Sequence, residues 1–167
     1  MPPSEFSARA KDFDAADFLK RLEPWFEVKK VEDGNLLGRV AREPGCAIGA
    51  VIRGTGSYLL RLRDIDRSEF LGRDCGATWL DLDMAVLHRG IIERVLGLQE
   101  GAELVYEPDA AKAVALVDSG EKSIAFLLNP TRPEQVCASA EAHEPMPQKA
   151  TYFFPKLPSG GVIHHLI

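Results

Sequence analysis

Cys46-Ala-Ile-Gly-Ala-Val-Ile-Arg53 and Ser57-Tyr-Leu-Leu-Arg-Leu-Arg63, joined by Gly54-Thr-Gly56, decide how the rest of the chain is read. Two β-favouring runs parted by a short glycine-containing turn predict a hairpin. On the second run Leu60 and Leu62 alternate with Arg61 and Arg63, so one face is expected to be covered and the other wet.

Upstream, Asp14 is expected to cap a helix over Ala15–Leu22, with Phe18 and Leu22 on one face and Pro24 ending it. Phe26–Glu32 reads as a strand stopped by Asp33-Gly-Asn, and Leu36–Glu43 as a short helix broken by Pro44-Gly45. Residues 1–12, with two prolines and mixed polar residues, read as a poorly ordered lead-in or linker.

Downstream, residues 64–76 read as a loop with one helical turn. Asp81 or Asp83 is expected to cap a long helix ending at Gly97, with Met84, Leu87, His88, Ile91 and Val95 as its apolar stripe. Glu103–Glu107 is a predicted strand, followed by a helix from Asp109 or Ala110 to Val117. Ser123-Ile-Ala-Phe-Leu-Leu128 is nearly all apolar, as a buried central strand should be. Asn129-Pro-Thr131 punctuates it before a helix over Pro133–Ala142, whose first turn tolerates Pro133. Val162–Ile167 is a predicted last strand. The sum is an α+β (mixed α/β) fold: one mixed sheet with an N-terminal β-hairpin and βαβα units, helices packed on it, and residues 13–167 as a single domain.

The bounds are consistent with this. A chain of 167 residues, 46% hydrophobic and 27% charged, supports one full-sized core. A net charge of -5 argues against nucleic acid and membrane surfaces as partners. No apolar run has the length of a membrane span, and the first residues lack the pattern of a secretory signal. Cys46, Cys75 and Cys137 are far apart and odd in number, which points away from a disulfide framework or a zinc site and towards the cytoplasm.

Candidate chemistry is sparse. His88 lies on an apolar stripe, where a satisfied core histidine competes with a catalytic one. His164 and His165 are neighbours on a strand and point to opposite faces. His143 and Glu144 offer two metal ligands with no local third, so no metal is expected. Asp81 and Asp83 are explained by capping, and Cys137 reads as a buried small hydrophobe. Asn129 and Thr131 stand where a buried strand ends and a helix begins, which favours anion or ligand binding. Gln148, Lys149, Thr151, Tyr152 and Lys156 lie in Pro145-Met-Pro-Gln-Lys-Ala-Thr-Tyr-Phe-Phe-Pro-Lys-Leu-Pro158, which prolines at 145, 147, 155 and 158 make stiff. Lysines on such a backbone suit a phosphate or carboxylate, and the competing reading is a solvated lysine pair.

Leu128-Asn-Pro-Thr131 with Met146-Pro-Gln-Lys-Ala-Thr-Tyr-Phe-Phe-Pro-Lys-Leu157 resembles the C-terminal signature of the bacterial and archaeal "domain of unknown function 1015" family. Asp14-Ala-Ala-Asp-Phe-Leu and Trp79-Leu-Asp-Leu-Asp-Met-Ala-Val-Leu-His88 agree with that resemblance, which runs from Phe13 onward. Ala150 departs from it, standing where the family has Ser. Typical members also carry an upstream half similar to the ParB and sulfiredoxin group, some of which handle nucleotides or phosphorylate small molecules. Its Gly-His-His-Arg-Tyr-type motif has no counterpart here.

The leading expectation is therefore a cytoplasmic C-terminal module that contributes an anion- or phosphate-binding surface to a two-part protein. The surface comprises Asn129, Thr131, Gln148, Lys149, Thr151, Tyr152 and Lys156, with His88 as a neighbour. A rival is the half-site of a small-molecule phosphotransferase, completed by an upstream ParB-like or partner domain. The residues name no cofactor; the resemblance implies a nucleotide through that partner. A third reading is a structural or self-associating domain with an exposed apolar patch at Trp79, Phe153, Phe154 or the hairpin edge.

Overall fold

A computed structural model describes residues 5–8 (as backbone), 13–32, 34–98, 104–147 and 150. Six strands, β1 (Glu5–Ala8), β2 (Phe26–Val31), β3 (Ala47–Ile52), β4 (Gly56–Leu62), β5 (Leu104–Glu107) and β6 (Ile124–Leu128), form one sheet in the order β2-β4-β3-β6-β1-β5. The hairpin read from sequence is β3–β4, paired antiparallel from Ala47↔Arg61 to Ile52↔Gly56. The all-apolar run is β6, interior and buried at every position.

The class is α+β, with two corrections. Every strand pairing among the described residues is antiparallel, so the sheet is not mixed. The reason is β1. It runs antiparallel to β5 on one side and to β6 on the other, so those two strands are parallel to each other but kept apart by it. The expected βαβ unit is thus a split one. The second correction concerns Glu5–Ala8: expected as part of a lead-in over residues 1–12, these four form a strand with neighbours on both sides.

Helices cover both faces of the sheet. Alternation sends Ile48, Ala50 and Ile52 of β3, and Ile124, Phe126 and Leu128 of β6, to one face, where they meet Phe18 and Leu22 of α1 (Ala15–Leu22) and Phe70 of α3 (Arg67–Leu71). Ala47 and Val51, with Ala125 and Leu127, face the other way. There they meet Leu36 and Val40 of α2 (Leu36–Val40) and Ala113 and Val117 of α6 (Ala110–Asp118). Gly49 allows this second layer to close, since a Cβ there would lie 2.9 Å from the Leu36 side chain. The wet face expected on β4 is accordingly confined to its end: Leu59 is buried on that face, while Arg61 is exposed and ion-paired with Glu27 and Glu43.

The predicted long helix is three pieces: α4 (Ala77–Leu80), α5 (Asp83–Ala85) and a π-helical segment, Val86–Val95. Neither Asp81 nor Asp83 caps it. The residue before α5 is Leu82, and no side chain caps that end. By contrast Asp14, Asp66 and Asp109 do cap α1, α3 and α6. The π segment has longer hydrogen-bonded loops, such as Leu96 N–H to the Ile91 carbonyl at 2.8 Å, and so rotates successive side chains differently from a 3.6-residue repeat. It buries Val86, Leu87, Gly90, Ile91, Ile92 and Val95, and leaves His88 half-buried on the flank.

Candidate functional site

The chain leaves β6 at Leu128 and enters α7 (Pro133–Glu141) at Pro133, and the polar groups gather at this junction. Asn129 and Thr131 are both there, as the sequence indicated, but their side chains are already engaged. Asn129 Nδ2 donates to the Val40 carbonyl at the end of α2 (3.2 Å), and Thr131 Oγ1 donates to the Ala150 carbonyl (2.7 Å). Gln135, at the third position of α7, closes the helix start by accepting from the Arg132 backbone N–H (2.9 Å). Its amide donates in turn to the Asp81 carbonyl (2.8 Å), while Arg132 and Arg67 approach the Asp81 carboxylate at 3.5 and 4.0 Å.

Between these groups lies a hollow of about 10 Å³, lined by Asp83, Met84, Leu128, Asn129, Pro130, Thr131 and Gln135. That is the space of about one water. Burial raises the Asp83 carboxyl above its ordinary value, and the neighbouring Cys46 thiol and the Arg67 guanidinium pull it back. The Cys46 thiol is itself pushed well up, first by burial and then by Asp83. Asp83 and Cys46 thus share a desolvated corner of the core, closed to solvent on the Cys46 side, which is 4% exposed.

After α7 the chain folds back over α4. The Glu144 carboxylate accepts from the Thr78 N–H at 3.2 Å and from the Thr78 hydroxyl, and the Trp79 indole N–H donates to the Pro145 carbonyl (2.8 Å). Met146 and Ala150 then pack into the same apolar cluster as Leu128 and Met84.

The other sequence candidates fare differently. His88 is not at the junction: its ring stacks on Tyr106 of β5 with centroids 6.1 Å apart, and Nε2 lies 3.4 Å from the Tyr106 hydroxyl. Burial lowers its pKa. His143 and Glu144 do not act together, because Glu144 is turned onto Thr78 while His143 is exposed. Cys137 is exposed rather than buried. Trp79 is half-buried under Pro145, and β3 and β4 are interior strands, so neither Trp79 nor a hairpin edge provides the apolar patch. Gln148, Lys149, Thr151, Tyr152 and Lys156, like Phe153, Phe154 and the strand expected at Val162–Ile167, lie outside the described residues.

Sequence reading missed Asp83 as a desolvated group, Cys46 as its neighbour, and Glu144 as a cap. Gln135 was legible in principle, as a glutamine three residues past a helix start. Two shallower grooves, of about 330 Å³ beside Arg39 and Arg42 and about 400 Å³ beside Arg61 and Arg63, contain none of the candidates. Among the described residues no helix is long and apolar enough to cross a membrane. Comparison of the chain with protein-family models, curated proteins and solved structures finds no match.

Proposed function

We propose that the chain is a cytoplasmic small-anion-binding module, the C-terminal part of a two-part protein, that takes a phosphate or carboxylate group at the β6–α7 junction. The observation that carries this reading is the 2.7 Å hydrogen bond from Thr131 to the Ala150 carbonyl. Ala150 directly follows Gln148 and Lys149 in the chain, so the bond brings one residue of the proline-framed stretch to the strand end singled out independently from the sequence. Arg132 and the start of α7 bring hydrogen-bond donors to the same place, where Arg132 lies 3.5 Å from the Asp81 carboxylate. Asn129, Thr131, Gln148, Lys149, Thr151, Tyr152 and Lys156 make up the proposed surface. His88, held against Tyr106, is left out of it. The partner is an upstream half of the ParB-like kind, as the motif resemblance implies, or a second copy of the chain.

A thermal-shift titration with inorganic phosphate, phosphorylated metabolites and nucleotides tests the reading. A ligand at a hundredfold its Kd stabilises by about 2.7 kcal/mol, and the shift is expected to disappear in Lys149→Ala. A shift that persists in Lys149→Ala, or none with any ligand, removes the anion site.

The phosphotransferase half-site is a second reading, favoured by one group. Asp83 borders the hollow, and burial moves its carboxyl above the ordinary value, the direction that suits a general acid or base. It predicts that Asp83→Asn abolishes nucleotide turnover by the combined halves while phosphate binding to this chain survives.

A further inference from the structure

Among the described strands β2 closes one end of the sheet, with β4 on its inner side. Which of its backbone groups face outward follows from the ladder. The Arg63 N–H donates to the Trp25 carbonyl (2.9 Å) and the Leu62 N–H to the Cys46 carbonyl (3.1 Å), so Arg63 is turned towards β2 and Leu62 towards β3. The alternation of an antiparallel pair then turns the backbone groups of Glu27, Lys29 and Val31 inward to β4. It turns the N–H and C=O groups of Phe26, Val28 and Lys30 outward. Side chains alternate as well. Glu27 and Lys29 share the face on which Arg61 is exposed, whereas Phe26 and Val28 belong to the opposite, apolar face.

We propose that β2 is where a second copy of this chain docks, the two edges pairing antiparallel about a twofold axis at Val28 so that one sheet runs through both copies. In that register Val28 meets its own counterpart and Phe26 meets Lys30 of the other copy, so the outward N–H and C=O groups of all three residues are paired. Glu27 then stands directly opposite the other copy's Lys29, on the rungs where side chains come closest. Within one copy Glu27 already lies between Lys29, at 3.5 Å, and Arg61. Docking extends this into a row of Arg61, Glu27 and the other copy's Lys29, alternating in sign. The neighbouring registers set Lys29 on Lys29 or Glu27 on Glu27, so charge selects the pairing. Charges on an edge strand commonly keep copies apart; two of opposite sign, two residues apart, do so in those registers and the reverse in this one. Val28, half-buried in one copy, gains cover from the other. The contact is one strand wide, so the dimer is of the weak, transient class and forms in concentrated solution. This proposal does not rest on the anion reading, and its outcomes leave that reading where it stands.

Sedimentation of the full chain at concentrations up to about 1 mM, the weak end of specific association, reads the dimer directly. Lys29→Glu sets like charges on both rungs and is expected to weaken dimerisation about tenfold. Adding Glu27→Lys to it restores opposite signs across the interface and is expected to recover most of that loss. Lys30→Pro removes an outward donor while sparing the ladder to β4, and is expected to weaken dimerisation about tenfold through the two hydrogen bonds lost per dimer. Circular dichroism melts establish that each variant is folded; if Lys30→Pro is not, the two charge variants decide. A wild-type chain that stays monomeric up to about 1 mM overturns the proposal. So does a dimer that neither Lys29→Glu nor Lys30→Pro weakens, since it forms on another surface. A loss in Lys29→Glu that the second change fails to recover overturns the register centred on Val28.

Discussion

His88 shows how one residue carries a measurable consequence from its surroundings. Desolvation against Tyr106 disfavours the imidazolium, and the nearby Glu93 charge opposes this less strongly. The folded pKa is thus depressed below the unfolded value of 6.5. The unfolded chain then takes up its proton first as pH falls, so the contribution of His88 to stability is complete above pH 6.5 and is lost through the window beneath it. Urea unfolding is expected to show a midpoint that drops from pH 7 to pH 5, and a smaller drop in His88→Gln. Equal drops in the two proteins would remove the argument. Cys46 and Cys137 give a second test at the same scale. Cys46 is buried with its thiol pKa pushed up, whereas Cys137 is exposed. Because the thiolate is the reactive form, iodoacetamide is expected to modify Cys137 in the native protein and Cys46 only after unfolding. Mass spectrometry of partly labelled protein decides it, and early label on Cys46 would mean that its cover over β3 is not closed.

At the scale of elements, the π segment and α3 meet in one tight place beside the Arg94 hydrogen bonds to the Glu69 and Phe70 carbonyls. A Cβ on Gly90 would lie 2.2 Å from Phe70 Cε1, and that ring is pinned by Trp25, stacked 4.7 Å away, and by Phe26. Gly90→Ala is therefore expected to destabilise by about 1–3 kcal/mol through overpacking, even though alanine is the better helix former. Phe70→Leu in the same chain should recover part of that loss, giving a coupling energy in a double-mutant cycle. Additive effects would show that the two helices do not meet there. This contact also marks where sequence reading stops. Elements fixed by neighbours in the chain were legible: Asp14 caps α1, Gly54-Thr-Gly56 turns the hairpin, and Pro133 opens α7. Elements fixed by distant partners were not. A 3.6-residue period places His88 in the core, whereas the π segment turns it to the flank. At the junction, the location of Asn129 and Thr131 was legible because a strand end before a helix is a local pattern. Their partners Val40 and Ala150 were not, since one lies 89 residues away and the other reaches Thr131 only through the fold-back of the chain after α7. Asp83 reads as a cap because acids before helices usually are caps; its desolvation is a property of tertiary packing alone.

For the whole molecule, the strand that sequence reading passed over has the largest consequence. Four residues, Glu5–Ala8, pair with Leu104–Glu107 on one side and with Ile124–Leu127 on the other. Without them β5 has no hydrogen-bonded neighbour among the described strands, and β6, apolar throughout, becomes an edge. An apolar edge strand with unpaired backbone groups is a template for association between copies. A chain lacking residues 1–8 is expected to lose much of its cooperative unfolding and to aggregate on concentration, whereas one lacking only residues 1–4 should behave as wild type. The pairing, not the side chains, carries the prediction, so Ser7→Pro, which removes one backbone donor from the ladder, should reproduce part of the effect at full length. Light scattering and thermal melts of the three variants discriminate the cases. If the chain without residues 1–8 stays monomeric and melts within about 2 °C of wild type, a shift of at most about 1 kcal/mol for a domain of this size, then β1 adds little to the sheet and the stable unit begins at α1.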